Sequence, residues 1–137
     1  MSARSPEPQW LTPTIVMAIH ADLLTQHGGL PGARDEGLIL SALARPRHRW
    51  EYGAARTLFA CAAAYGFGLA KNHGFADGNK RTTFQAMYTF LGLNGIQLTA
   101  SEPAAVATML ALAECDLTEE ELGAWLAENS TKRRRKR

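Results

Sequence analysis

The segment AARTLFACAAAYGFGLAK, residues 54–71, is the most apolar stretch of this 137-residue chain. Its two charges, Arg56 and Lys71, lie near its ends, and large apolar side chains stand among alanines between them. A helix that is apolar on most of its faces belongs in the interior of a protein. Residues 54–71 are therefore predicted to form the central helix of a helical bundle.

Two glycines, Gly66 and Gly68, interrupt this segment. Each lowers helix propensity by about 1 kcal/mol relative to alanine, so each needs a reason to be there. A phosphate-binding glycine loop is one interpretation, but the rest of a G-x-G-x-x-G pattern is missing. Close approach of neighbouring helices is the preferred interpretation.

Apolar residues recur at helical spacing on both sides of the central segment. The predicted helices span residues 13–27, 35–44, 54–71, 79–93, 102–115 and 118–129. Thr118 and Glu121 form a capping-box pattern that opens the last helix. Pro46 is predicted to stop the second helix and to leave residues 45–53 as an irregular, cation-rich connection. No repeat and no convincing strand pair is evident, so the predicted fold class is all-α.

The length favours one compact domain, residues 12–129, between an N-terminal extension (1–11) and a basic, disordered tail (130–137). The formal net charge of +2 hides this division. Six of the 15 Lys and Arg residues lie in 132–137, and without them 9 cations face 13 Asp and Glu, a charge of −4. The tail could contact nucleic-acid phosphates weakly, although the acidic domain has no pattern for reading bases.

The remaining composition excludes several classes of protein. Cys61 and Cys115 lie in separate apolar surroundings and offer neither a disulfide framework nor a metal-binding cysteine pair. No apolar run reaches the roughly 18 residues that a membrane span needs, and residues 1–8 lack the apolar core of a signal peptide. A cytoplasmic protein without membrane contact is expected.

Residues 73–81, His-Gly-Phe-Ala-Asp-Gly-Asn-Lys-Arg, connect the central helix to the next one. A helix N-terminus exposes unpaired N–H groups and carries about half a positive charge. Gly78 permits a tight turn in which successive N–H groups face one concavity suited to phosphate. Lys80 and Arg81 add two positive charges, and Lys71 is predicted to complete this cationic centre.

Three further residues of the loop suggest chemistry. Asp77 supplies the oxygen that Mg²⁺ needs when it shares its coordination with substrate phosphates. His73 is a candidate general base, since an unperturbed imidazole has a pKa of about 6.5, and Phe75 is predicted to point into the core. A base, a metal ligand and an anion site together favour phosphoryl or nucleotidyl transfer. The alternative is an ordinary solvated helix start.

The loop resembles the Fic/Doc superfamily motif, which reads H-x-F-x-[DE]-G-N-G-R-x-x-R in nucleotide-transferring Fic members. The matching residues are His73, Phe75, Asp77, Gly78, Asn79 and Arg81. Lys80 replaces the second glycine and Phe84 the final arginine, and the form H-x-F-x-D-[AG]-N-K-R is typical of the death-on-curing (Doc) branch. The resemblance also includes residues 28–46 and 88–95, and it covers roughly residues 13–125.

The resemblance implies a helical bundle of the Fic/Doc type, with the active-site loop between two central helices. It also implies a toxin of a bacterial toxin–antitoxin system, a kinase that moves the γ-phosphate of ATP onto a threonine of elongation factor Tu and stops translation. In this mapping His73 is the base, Asp77 holds Mg²⁺ and Phe75 packs the motif. The residues implied to bind the ATP phosphates are Gly78, Asn79, Lys80 and Arg81.

A separate, Phd-like antitoxin is implied as partner, with a disordered segment that folds into a groove over the active site. Two alternatives stay open. A Fic-type enzyme would transfer AMP to a protein hydroxyl, and a non-catalytic module would only bind a partner protein or nucleic acid.

Two sets of residues outside the loop have simpler explanations. Three histidines without acid or cysteine partners at metal-ligand spacing are predicted to be structural or surface residues: His20, His27 and His48. Four arginines surround the connection that forms a flap beside the active site in related folds: Arg45, Arg47, Arg49 and Arg56. One interpretation is that they guide ATP or the protein target, and ordinary solvated charges are the preferred one.

Overall fold

The computed structural model describes residues 6–133, in which six α-helices surround one core. The helices are α1 (Pro13–His27), α2 (Glu36–Glu51), α3 (Leu58–Asn72), α4 (Asn79–Leu93), α5 (Glu102–Ala113) and α6 (Glu119–Glu128). Two short strands, β1 (Ile96–Leu98) and β2 (Ser130–Lys132), pair antiparallel. The predicted all-α fold is confirmed, with this small sheet as an addition.

Helix α3 lies at the centre of the bundle, as the apolar segment predicts. It contacts α2, α4, α5 and α6, and eight of its fifteen residues are buried. The helix begins at Leu58 rather than at residue 54, because the Thr57 hydroxyl accepts a hydrogen bond from the Ala60 N–H and caps it. The loop that follows, residues 73–78, therefore leaves from the most deeply buried helix of the described chain.

Both glycines of α3 stand where neighbouring helices approach closely. A Cβ on Gly66 would overlap the buried Met87 Sδ of α4 and lie 3.2 Å from the Leu122 Cδ2 of α6. A Cβ on Gly68 would lie 3.3 Å from the Ala42 Cα of α2. The helix-packing interpretation is confirmed at both positions.

The Gly66→Ala variant is expected to lower the free energy of unfolding by about 1–3 kcal/mol, because Met87 is fully buried and has little room to move. Gly123→Ala in α6 is the matched control, since its new Cβ would make ordinary contacts at 3.7 Å. This control is expected to be neutral or to stabilise by up to about 1 kcal/mol through helix propensity. Urea unfolding measures both, and equal stability of the two variants would contradict the packing argument.

The prediction that Pro46 stops the second helix is wrong. Helix α2 continues through Pro46 to Glu51, because Leu43, Pro46 and Trp50 are all buried on one face of the helix. An interior proline costs about 3 kcal/mol or more through its missing N–H and its ring. Burial of this apolar face offsets that cost, since each large side chain contributes about 1.5–3 kcal/mol.

The cationic residues of α2 pair with other parts of the bundle. Arg45 and Arg49 both form ion pairs with Glu119 at the start of α6, and the Arg47 guanidinium lies over the Trp10 ring. All three arginines belong to helix α2, whereas residues 45–53 were expected to form an irregular connection. A flap is therefore not formed by this segment.

The tail predicted to be disordered from residue 130 is ordered at its beginning. Strand β2 pairs with β1, and Arg133 donates from its backbone N–H to the Gly95 carbonyl and from its guanidinium to the Gly92 carbonyl. The non-local pairing with residues 96–98 is what orders it. The rest of the predicted tail, residues 134–137, lies outside the described part of the chain.

The described part of the N-terminal extension packs onto the bundle. Trp10 stacks on Phe90 at 6.0 Å between ring centroids and meets Trp50 edge-on. The buried Leu11 donates from its N–H to the Tyr65 hydroxyl at 2.9 Å. Burial raises the pKa of Tyr65 to about 12, so this hydroxyl stays neutral. Within residues 6–133, no helix is long and apolar enough to cross a membrane.

Candidate active site

The loop between α3 and α4 begins at His73, which ends α3 in the left-handed conformation with φ 49°. This turn leaves the His73 side chain exposed, whereas Phe75 is only 2% exposed and belongs to the core. The prediction that Phe75 points into the core is confirmed. Its ring stacks on His20 of α1 with 4.0 Å between centroids.

The side chain of Asn79 closes the loop on itself. Its Oδ1 accepts from the Phe75 N–H at 3.1 Å, and its Nδ2 donates to the Phe75 carbonyl at 3.0 Å. Asn79 is buried, so its amide serves the loop rather than a ligand. The polar group of Asn79 that is left for a ligand is its backbone N–H.

The N-terminus of α4 differs from those of the other described helices. A Ser, Thr or Asp side chain caps each of α1, α2, α3, α5 and α6. Helix α4 has Gly78 at its N-cap, with φ 74° and no side-chain cap. In the described chain its first-turn N–H groups thus remain available, in the arrangement that binds anions at helix N-termini.

A groove of about 840 Å³ opens in front of this helix N-terminus. Six of the predicted site residues line it: His73, Asp77, Gly78, Asn79, Lys80 and Arg81. Beyond them the wall comes from α1, α4, β1 and α5 and is mostly apolar, including Phe84, Tyr88, Leu98, Val106 and Met109. The groove therefore has a cationic end at the loop and an apolar remainder.

The Asp77 carboxylate is held by two backbone groups. Its Oδ1 accepts from the Gly78 N–H at 2.9 Å and its Oδ2 from the Leu30 N–H at 3.2 Å. Gly29 makes room for this arrangement, since a Cβ there would lie 2.8 Å from Oδ2. Asp77 remains exposed, so each oxygen can also accept from the groove side.

Residues 32–35 support the loop from the side of α2. The Arg34 guanidinium donates to the carbonyls of Asn72 and His73 at 2.9–3.1 Å. The backbone N–H groups of Arg34 and Asp35 both donate to the Gly74 carbonyl. These contacts fix the end of α3 and with it the position of His73.

Sequence reasoning missed the supporting roles of Arg34 and His20. Arg34 belongs to the upstream block that resembles the superfamily, but only its contact with residues 72–73 shows what it does. His20 was predicted to be structural or surface, and it is buried and bonded to the Asp77 carbonyl at 2.8 Å. No local pattern reveals a contact across 57 positions of sequence.

Lys71 does not join the cationic centre, contrary to prediction. Its Nζ lies 2.7 Å from the Cys115 Sγ and over the Phe67 ring, and Lys71 is not part of the groove wall. The positive charges at the loop end of the groove are those of Lys80 and Arg81.

The sequence model of the Fic/DOC family matches residues 10–91, which include the whole motif loop and helices α1 to α3. The chain belongs to the Fic/DOC family.

Two similar proteins define its type within the family. Over 88 residues the chain is 34% identical to "Protein kinase doc" of Escherichia phage P1, covering 64% of this chain and 70% of that protein. Over 75 residues it is 48% identical to "Toxin Doc" of Mycolicibacterium smegmatis (strain ATCC 700084 / mc(2)155), covering 53% of this chain and 57% of that protein. The chain is a Doc-type member, and the predicted resemblance is confirmed.

Proposed function

We propose that this protein is a Doc-type toxin that transfers the γ-phosphate of ATP to a hydroxyl group of a protein, with a threonine of elongation factor Tu as the target. The observation that carries the proposal is the cationic end of the groove, where His73, Asp77 and the uncapped N-terminus of α4 face one space. The names "Protein kinase doc" and "Toxin Doc" of the two similar proteins support it.

In the proposed reaction the hydroxyl oxygen of the target attacks the γ-phosphorus, and the bond from that phosphorus to the β,γ-bridging oxygen breaks. ADP leaves with that electron pair, and the hydroxyl proton passes to the His73 imidazole. The first-turn N–H groups of α4, Lys80 and Arg81 stabilise the negative charge on the phosphoryl oxygens. Arg34 keeps His73 in place through the carbonyl at the end of α3.

The donor set of the site fits Mg²⁺ brought in with ATP. Within residues 6–133 no group of three or more His, Cys, Asp and Glu side chains could hold a metal alone. Mg²⁺ that shares its coordination with phosphates needs only one or two carboxylates, and Asp77 provides an exposed one. When bound, Mg²⁺ would neutralise charge on the phosphates, while Asp77 fixes its position.

Transfer of phosphate rather than AMP is supported by the distribution of charge along the groove. Lys80 occupies space beside the backbone that a glycine would leave open, and Phe84 places an apolar ring one turn further along α4. Positive charge is thus concentrated near His73, which favours the terminal phosphate as the group next to the attacking hydroxyl. A Fic-type AMP transferase would need the α-phosphate at that position.

Labelled ATP separates the two reactions. The full-length protein, incubated with Mg²⁺ and elongation factor Tu, is expected to transfer label from γ-labelled ATP and none from α-labelled ATP. Intact-mass measurement should show a gain of one phosphate, about 80 Da, on the target. A gain of AMP size would establish the alternative, and no gain with either label would contradict transfer to this target.

We also propose that a separate antitoxin covers the groove. The apolar part of its wall includes Val106 and Leu110 of α5, which are 53% and 45% exposed. Exposed apolar side chains next to a cationic site suit an amphipathic segment that folds on binding. A carboxylate of such a segment would meet Lys80 and Arg81 and exclude ATP.

A further inference from the structure

We propose that His20 is a positioning residue that holds the Asp77–Gly78 peptide unit in the orientation needed for anion binding. The inference rests on the proposed function for its meaning, since the anion is the phosphate of ATP. His20 belongs to α1, and it would join Arg34 as a residue outside the loop between α3 and α4 that holds this loop in place.

His20 is enclosed on the inner side of α1. Its side chain belongs to a residue that is 2% exposed, and its Nε2 lies 2.8 Å from the Asp77 carbonyl oxygen. A carbonyl oxygen can only accept, so Nε2 carries the hydrogen and donates it. The parallel stack on Phe75, with 17° between the ring planes, fixes the imidazole in this direction.

The Asp77–Gly78 peptide needs such a restraint because of the residue that follows it. In a trans peptide the C=O and the N–H point in opposite directions. Gly78, with φ 74°, has no Cβ to resist rotation of this plane, since glycine accepts both signs of φ. A turn with glycine at this position can therefore exchange between two peptide orientations.

The two orientations differ in what they present to the site. In the observed one the carbonyl faces His20, and the Gly78 N–H donates to the Asp77 Oδ1. The flipped one would turn the carbonyl oxygen toward the Asp77 carboxylate and leave the His20 N–H buried without an acceptor. Both changes are unfavourable, and the flip would also add a partially negative carbonyl oxygen beside the Asp77 carboxylate at the edge of the groove, where it would oppose anion binding.

Two variants separate the hydrogen bond of His20 from its packing. His20→Phe keeps an aromatic ring against Phe75 and removes the donor, whereas His20→Gln keeps an N–H at similar reach and removes the ring. We expect the His20→Phe variant to bind ATP with Mg²⁺ with an apparent affinity about tenfold lower or more, because only protein molecules with the observed peptide orientation bind it. The His20→Gln variant is expected to bind ATP with an affinity within about threefold of the wild-type value.

A second readout does not depend on transfer activity. In ¹⁵N-labelled protein the Gly78 and Asn79 amide resonances are expected to shift or broaden in His20→Phe and to return near their original positions in His20→Gln. A thermal melt of each variant checks that the bundle is folded.

The outcomes distinguish the inference from the proposed function. Wild-type affinity and unchanged amide resonances in His20→Phe would overturn the inference, and so would equal losses in Phe and Gln, since packing would then be the cause. If the wild-type protein transfers no phosphate, the proposed function fails, while the amide resonances still report whether His20 holds the peptide.

Discussion

The His73→Ala variant is expected to lose phosphate transfer by about 10²–10⁴-fold, the range that general-base catalysis contributes. His73 is the imidazole of the motif loop, and it lines the groove beside Asp77 and Lys80. The target hydroxyl would then keep its proton during attack on the γ-phosphorus. Production of the variant alone in bacteria is accordingly expected to leave growth unimpaired, whereas production of the wild-type protein is expected to arrest growth.

The control for this prediction is His27→Ala. His27 ends α1 and lines the same groove as an exposed imidazole, but it lies outside the loop. Its removal is expected to change the transfer rate by less than about threefold, since it is not the base in the proposed reaction. Equal losses in the two variants would contradict the assignment of the base to His73.

Backbone conformation calls for a second substitution at the same position. His73 has φ 49°, a region that costs alanine more than asparagine. His73→Asn should therefore keep the fold of the loop and still be unable to take the proton at neutral pH. A single-turnover rate with γ-labelled ATP measures both variants, and activity retained by Asn at the wild-type level would exclude His73 as the base.

The helix boundaries that depend on local chemistry could be predicted from the sequence. Thr12 caps α1 through the Ile15 N–H, and Thr118 and Glu121 form the predicted capping box at the start of α6. Each of these signals involves residues within one turn of each other. One part of the loop between α3 and α4 is local in the same sense, because the Asn79 side chain bonds to the backbone of Phe75 four positions away.

What could not be predicted depends on contacts between distant segments. Pro46 continues α2 because the face around it is buried against the rest of the core. Strand β2 exists because residues 96–98 lie beside it, and two strands of three residues each are too short for the sequence to predict that they pair. The site shows the same division, since His20 and Arg34 support a loop that lies 38 to 57 positions away.

Arg81→Ala is expected to lower the rate of phosphate transfer by about 10²–10³-fold, as for loss of one preorganised donor to a developing charge. Arg81 is exposed in the first turn of α4 and lines the groove, and within residues 6–133 it forms no ion pair. Its guanidinium is thus available to a phosphate. Arg81→Lys should lie between alanine and wild type, because lysine keeps the charge but not the two-pronged geometry.

Arg56→Ala is the matched control for loss of one positive charge. Arg56 is also exposed, but its guanidinium lies over the Trp50 ring and it is not part of the groove wall. Transfer by this variant is expected to stay within about twofold of wild type at low and at physiological salt, since distant surface charges are screened. Similar losses for Arg56 and Arg81 would mean that overall charge attracts ATP. A loss confined to Arg81 requires a local contact, because both variants change the net charge equally.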